Sequence, residues 1–136
     1  MKNFIYYAAL PETMTNNELD SEFRELLGGL ESGNVERSDF VRSLLELSDR
    51  QWHTYSVIDV GLKERIEQCL ISLWDGHDLD MTENMINIMV RLGLEEVSRF
   101  LDSLSPKELS LKVFNEISLA LSELGSSVSD PYSGMR

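Results

Sequence analysis

The sequence predicts an all-α domain, and three observations predict it. Apolar residues recur at helical spacing almost everywhere past residue 17, the strict alternation of a half-buried strand is missing, and only three prolines and eight glycines interrupt 136 residues. Leu19, Phe23, Leu26, Leu27 and Leu30 fall at i, i+4, i+7, i+8 and i+11. The same spacing recurs in Leu62, Ile66, Cys69, Leu70 and Leu73, in Met81, Met85, Ile88, Met89 and Leu92, and in Val113, Ile117, Ala120, Leu121 and Leu124. Each series lines one stripe of a 3.6-residue helix. Leu70, Leu73, Met85, Met89, Phe100 and Ile117 are therefore expected in the core.

Start and stop signals divide these stripes into six helices. Thr15 with Glu18 has the spacing of a capping box, and Gly28, Gly29 and Gly33 close the first helix. Ser38-Asp39 opens a second around Phe40, Val41, Leu44 and Leu45. Ser56 with Asp59 caps a third that ends at Trp74, near Asp75-Gly76. Asp80 with Glu83 caps a fourth, and Gly93 is placed to supply its left-handed C-terminal residue. Leu94, Val97, Phe100, Leu101 and Leu104 form a short fifth. Ser105-Pro106-Lys107-Glu108 puts serine at N-cap, proline at N1 and glutamate at N3 of a sixth, which runs to Gly125. Residues 126–136 are read as a surface tail, because they carry no apolar stripe.

Paired in order, the helices make three antiparallel hairpins within a single domain, residues 1–136. The stripes that begin at Leu19 and Leu62 are offset by 43 positions, within the period of HEAT-type helical repeats. A shared helical spacing belongs to any amphipathic helix, so a HEAT-like stack and a compact helical bundle both stand at this point. The fourth helix, with Ile86 and Val90 added to its stripe, is apolar nearly all round and belongs in the middle of either.

Composition narrows the function. Twenty-four acidic residues against twelve basic ones leave a formal charge of −12, which repels nucleic acid and anionic lipid. It attracts a basic protein, or it serves solubility alone. Cys69 is the sole cysteine, so no intramolecular disulfide or cysteine-based zinc site can form, and a reducing compartment, the cytoplasm, fits. The stretch Phe4–Leu10 is too short, and too directly followed by Pro11-Glu12, to read as a signal peptide.

No catalytic or cofactor pattern stands out. The chain has no phosphate-binding glycine loop, no G-x-S-x-G elbow and no H-E-x-x-H pair. His53 and His77 lie on different segments without a second ligand at metal spacing. Asp75-Gly76-His77-Asp78-Leu79-Asp80 fails as a calcium loop, since His77 and Leu79 occupy its third and fifth positions. Cys69 lies on an apolar stripe, as an inert buried thiol does. The expectation is a non-enzyme without metal or cofactor that works by binding another protein.

Two segments are candidates for that binding. From Arg65 to Arg91 there is no lysine or arginine, while Glu67, Asp75, Asp78, Asp80 and Glu83 fall between them. Asp75, His77, Asp78, Asp80 and Glu83 thus concentrate negative charge around one interhelical loop. Trp74 stands beside it, either as an aromatic anchor or as a core residue in register with Leu70. The second segment is Trp52, His53 and Tyr55, whose tryptophan and tyrosine are types enriched at interfaces and equally able to plug a gap between hairpins.

In its size, acidity and helix-hairpin order the chain resembles the small helical immunity proteins of bacterial polymorphic-toxin and contact-dependent growth-inhibition systems. The stretch from Leu70-Ile71-Ser72-Leu73-Trp74-Asp75 through Arg91-Leu92-Gly93-Leu94-Glu95-Glu96-Val97 is similar to HEAT-like members of that group. The resemblance implies a cytoplasmic antidote that binds a toxin domain, at its active site or an adjacent surface, and it carries over no individual functional residue; the charge of −12 would suit a basic one. A helical adaptor for a basic protein and an acidic nucleic-acid mimic are the alternatives.

Overall fold

The computed structural model describes residues 3–124, and among them every regular element is helical. The helices are α1 (Phe4–Ala8), α2 (Asn16–Glu31), α3 (Arg37–Trp52), α4 (Val60–Leu73), α5 (Leu79–Leu92), α6 (Glu95–Asp102) and α7 (Leu111–Leu124), with a 3-10 turn at Pro106–Glu108. The expected tail, 126–136, lies outside the described residues, as does Gly125. No helix among those described is long and apolar enough to cross a membrane.

Six of the seven helices are the expected ones, and α1 is new. It forms because the Asn3 side chain accepts a hydrogen bond from the Tyr6 amide at 3.2 Å and because Tyr7 buries its ring. The Thr15–Glu18 capping box is present in both directions. Other caps fall one step from their expected places. Gly28 and Gly29 lie inside α2, which runs on to Glu31. α3 starts at Arg37 after Glu36, without a side-chain cap. Asp59, not Ser56, is the N-cap of α4, its side chain accepting from the Leu62 amide at 3.0 Å. Asp78 caps α5, leaving Asp80 within its first turn. Ser105 opens only the 3-10 turn, and α7 starts afresh behind Ser110, whose hydroxyl accepts from the Val113 amide. Gly93 closes α5 as expected, at φ 70°, where a side chain would be strained.

The helices pack on the helix two places along. α1 lies on α3, α3 on α5 and α5 on α7, which makes one layer; α2 on α4 and α4 on α6 make the second. α2 with α3, and α6 with α5 and α7, join the layers. This is the order of a hairpin stack, in which each unit buries the face its predecessor leaves open. It corrects the simple pairing of α4 with α5: the principal neighbours of α4 are α2 and α6, and those of α5 are α3 and α7. Ion pairs follow the same layers, Arg65–Glu31 between α4 and α2, Arg91–Asp49 between α5 and α3, and Lys63–Glu95 at 3.7 Å between α4 and α6. Exposed pairs contribute about 0–1 kcal/mol each, so they orient the layers more than they hold them.

Apolar burial holds them. Leu70, Met85, Met89 and Ile117 are buried as expected, whereas Leu73 and Phe100 are half-buried at the edge of the core. Both lie near helix ends, where one turn of the stripe overhangs its neighbour. One buried charge stands out against this background. Arg50 of α3 is 8% exposed, and its guanidinium donates to the carbonyls of Pro11, Leu10, Ala8 and Glu46 at 3.0, 2.9, 3.3 and 2.9 Å. Those bonds satisfy the C-terminal carbonyls beyond α1 and tie the N-terminal segment to the core.

Leu70→Ala should lower unfolding free energy by about 2–5 kcal/mol in urea titration, and Leu73→Ala by less than half as much. Equal losses at the two positions would contradict this placement of the core edge.

Candidate functional site: the acidic face of α3 and α5

The loop between α4 and α5 is built from its own acids. Asp75 Oδ1 accepts from the His77 amide at 2.9 Å, the turn an aspartate makes with the backbone two residues on. Asp78 Oδ1 accepts from the Met81 amide at 3.0 Å and its carbonyl accepts from Thr82 Oγ1 at 2.8 Å, which starts α5. Both sides of the loop are fastened. Arg37 of α3 reaches the Leu73 carbonyl at 3.4 Å and Asp75 Oδ2 at 3.9 Å. On the other side the Ser110 amide donates to the Gly76 carbonyl at 3.1 Å. A Cβ on Gly76 would come within 2.8 Å of Leu109 Cδ2 and 2.9 Å of the Glu108 carbonyl, so only glycine fits this close approach without displacement.

The acid run therefore divides by role. Glu67 turns inward and is buried, its Oε2 accepting from the Glu96 amide at the start of α6 at 2.8 Å. Asp75 and Asp78 are engaged by the loop itself. Trp74 packs its half-buried ring edge-on to Phe100 at 6.1 Å, so of its two readings the structure takes the core one. His77 is exposed, and no group of metal-ligating side chains occurs among the described residues. Asp80 and Glu83 remain, exposed on the first turns of α5 and without an ion-pair partner among the described residues.

These two carboxylates line an open groove against α3. One part, about 450 Å3, lies between Glu36, Arg37 and Arg42 on one wall and Asp78, Asp80 and Asn84 on the other. A second, about 370 Å3, continues past Arg42 and Asp80 to Glu46, Glu83 and Phe4. Sequence distance had hidden Arg37 and Arg42, which the fold brings to a loop with no basic residue near it in the chain. Arg42 is held in place, its guanidinium 3.9 Å over the Phe4 ring and 3.8 Å from Asp39. Five carboxylates (Glu36, Glu46, Asp78, Asp80, Glu83) still face two guanidinium groups along the groove.

The second candidate segment lies at the far end of the same helix. α3 ends at Trp52, which is half-buried, with its ring edge-on to His53 at 5.3 Å and tilted to Tyr55 at 6.4 Å. His53 is exposed, and its Nδ1 donates to the Asp49 carbonyl at 2.6 Å. A further cleft of about 460 Å3 brings His53 together with Glu12, Glu46 and Asp49. Arg42, Glu46, Asp49 and His53 follow one another at helical spacing, so the two candidates, separate in sequence, are joined by one solvent-facing stripe of α3. Cys69 is half-buried, and burial together with Glu31 pushes its thiol pKa up against the opposing Arg65, which lowers the share of the nucleophilic thiolate. No protein-family profile, characterised protein or solved structure matches this chain.

Glu67 offers a test of this division of roles. Burial raises its pKa above the ordinary glutamate value, with the Glu96 amide and Lys63 opposing. Its proton is held more tightly in the folded than in the unfolded chain. It therefore contributes stability that is fully present below the unfolded pKa and is lost as pH rises through the raised folded one. Glu67→Gln keeps an acceptor for the Glu96 amide and removes the titration. Wild type should lose stability relative to the variant as pH rises from the ordinary glutamate range through the raised folded value in urea titrations; parallel pH profiles would place Glu67 in water.

Proposed function

We propose that this chain is an immunity protein that binds and neutralises a basic bacterial toxin domain in the cytoplasm, using the acidic face of α3 and α5. The observation that carries the reading is the excess of carboxylates along the α3–α5 groove, with Asp80 and Glu83 in no ion pair among the described residues of a chain of net charge −12. Among the described residues, eight basic ones, including Arg24, Lys63, Arg65, Arg91 and Arg99, are drawn into intramolecular ion pairs, which leaves negative surface to act outward.

Such a surface accelerates encounter with a positive partner and fixes its orientation, while affinity comes from what the two surfaces then exclude from water. An antidote requires this and no chemistry of its own: it covers the toxin's active site or a neighbouring surface. Asp75 and Asp78 serve by holding the loop, and His77, Asp80 and Glu83 by facing the partner. The resemblance to small helical immunity proteins selects this role over that of a general adaptor.

The deciding experiment is genetic. Affinity capture from the native cell identifies the partner, whose expression should then arrest cells lacking this chain and spare cells that contain it. A growth defect on deletion with no such partner expressed would instead assign an adaptor role. With partner in hand, Asp80→Asn/Glu83→Gln should slow association several-fold at low salt and flatten its salt dependence, with dissociation nearly unchanged. Association unchanged at low salt would remove these two carboxylates from the interface.

A further inference from the structure

We propose that the connection between α3 and α4 is the apolar anchor of a protein interface, in which Tyr55, Val57 and Val60 seat in an apolar pocket rimmed by lysine or arginine on a partner protein. The proposal rests on the protein-binding reading above, and it is independent of whether the partner is a toxin.

Six large hydrophobic side chains are well exposed among the described residues, and three of them, Tyr55 at 65%, Val57 at 64% and Val60 at 68%, fall within six consecutive positions. Single exposed apolar residues need no explanation; three in one short connection do. The backbone there is also unusual. Tyr55 has φ 59°, the only positive value outside glycine among the described residues, in a region that aromatic side chains rarely adopt. A segment with no task beyond linking two helices would place glycine or asparagine at that position.

The strained conformation is held from beneath. Gln51, 5% exposed, donates through Nε2 to the Ser56 carbonyl at 3.0 Å and to Thr54 Oγ1 at 3.3 Å. Thr54 Oγ1 donates to the Gln51 carbonyl at 2.7 Å and accepts from the Ser56 amide at 3.1 Å. Ile58 is buried between the exposed Val57 and the Asp59 cap of α4. The outward side chains are thus presented on a fixed backbone, which lowers the ordering cost of binding and marks an interface anchor.

Charge selects the partner. On one side, Glu12, Glu46 and Asp49 share a cleft with His53 and Arg50. On the other, Val57 borders a cleft of about 280 Å3 that also holds Asp20 and Asp59, with Arg24 paired to both carboxylates. With Arg91 paired to Asp49 and Arg50 to Glu46, the five carboxylates of these two clefts stand against three guanidinium groups, a net negative surround for the apolar residues. A second copy would bring the same carboxylates against them, so self-association is disfavoured and a basic rim is the complementary surface.

The test uses the full chain in its native cell, with p-benzoylphenylalanine replacing Val57 in one strain and Glu83 in another. The expected result is a photo-adduct at position 57 with a different protein, cross-linked to a peptide whose apolar residue is flanked by lysine or arginine. With that protein purified, Tyr55→Asn/Val57→Ser should dissociate at least ~30-fold faster than wild type. Leu111→Ser/Leu119→Ser, at exposed positions elsewhere, should stay within about 3-fold. Asn tolerates the left-handed backbone, so the double variant should melt at the parental temperature. An adduct at position 83 without one at 57 overturns the anchor and leaves the acidic face standing. Adducts at neither position overturn both. An adduct only with a second copy or with this chain itself, an acidic cross-linked peptide, or unchanged dissociation also overturns the anchor.

Discussion

Helix α3 packs against α1, α2 and α5 at once, and this three-sided burial governs the rest of the molecule. Eight of its sixteen residues are buried, among them Phe40, Val41, Leu44 and Leu47 as apolar fill and Ser43, Ser48, Arg50 and Gln51 as polar ones. Small serines let neighbouring helices approach closely, and Ser48 satisfies its hydroxyl on the Leu44 carbonyl at 2.7 Å. Arg50 and Gln51 are buried because each has several backbone carbonyls or hydroxyls to bond. Arg50 thereby fastens the N-terminal segment, and Gln51 fastens the connection to α4. What α3 leaves to water is one stripe through Arg42, Glu46, Asp49 and His53, and the acidic groove and the Tyr55 loop lie along it. The candidate interface is positioned by what the core has no room to cover.

The helical class and most of its stripes were legible in the sequence because a 3.6-residue period is written locally. Leu19 to Leu30, Leu62 to Leu73 and Met81 to Leu92 each state their own helix. Caps were less legible, since several neighbouring Ser and Asp residues offer an oxygen and tertiary packing chooses among them. Asp78 rather than Asp80 starts α5 because Arg37, Ser110 and Gly76 fix the preceding loop. The missing α1 had too few residues to show a period, and it exists through burial of Tyr7 and the carbonyls that Arg50 receives. Pairing was legible only in part, because neighbours in a stack are two helices apart in the chain.

The candidate site divides in the same way. A run of acids is visible in sequence, but whether each carboxylate faces water, caps a helix or enters the core depends on neighbours that the run does not name. Glu67 went inward to the α6 amide, Asp75 and Asp78 to the loop, and Asp80 and Glu83 outward. Arg37 and Arg42 arrived from α3 with no local sign. Trp52, His53 and Tyr55 were recognisable by residue type; Val57 and Val60 were not, since exposed valine looks like any other valine until the fold is known. The acidic groove and the exposed apolar connection thus occupy two ends of one helix stripe, a division that on the proposed reading would suit fast encounter followed by slow release.

Amide hydrogen exchange under native conditions tests the central role of α3 most directly. If α3 organises the fold, the amides of Leu44, Leu47 and Ser48, with those of Met85 and Met89 on α5, exchange only through global unfolding. Amides of α1 and of the outer turns of α7 should open at lower free energy. Exchange of the α3 amides at rates matching those of α7 would contradict the claim that α3 organises the fold.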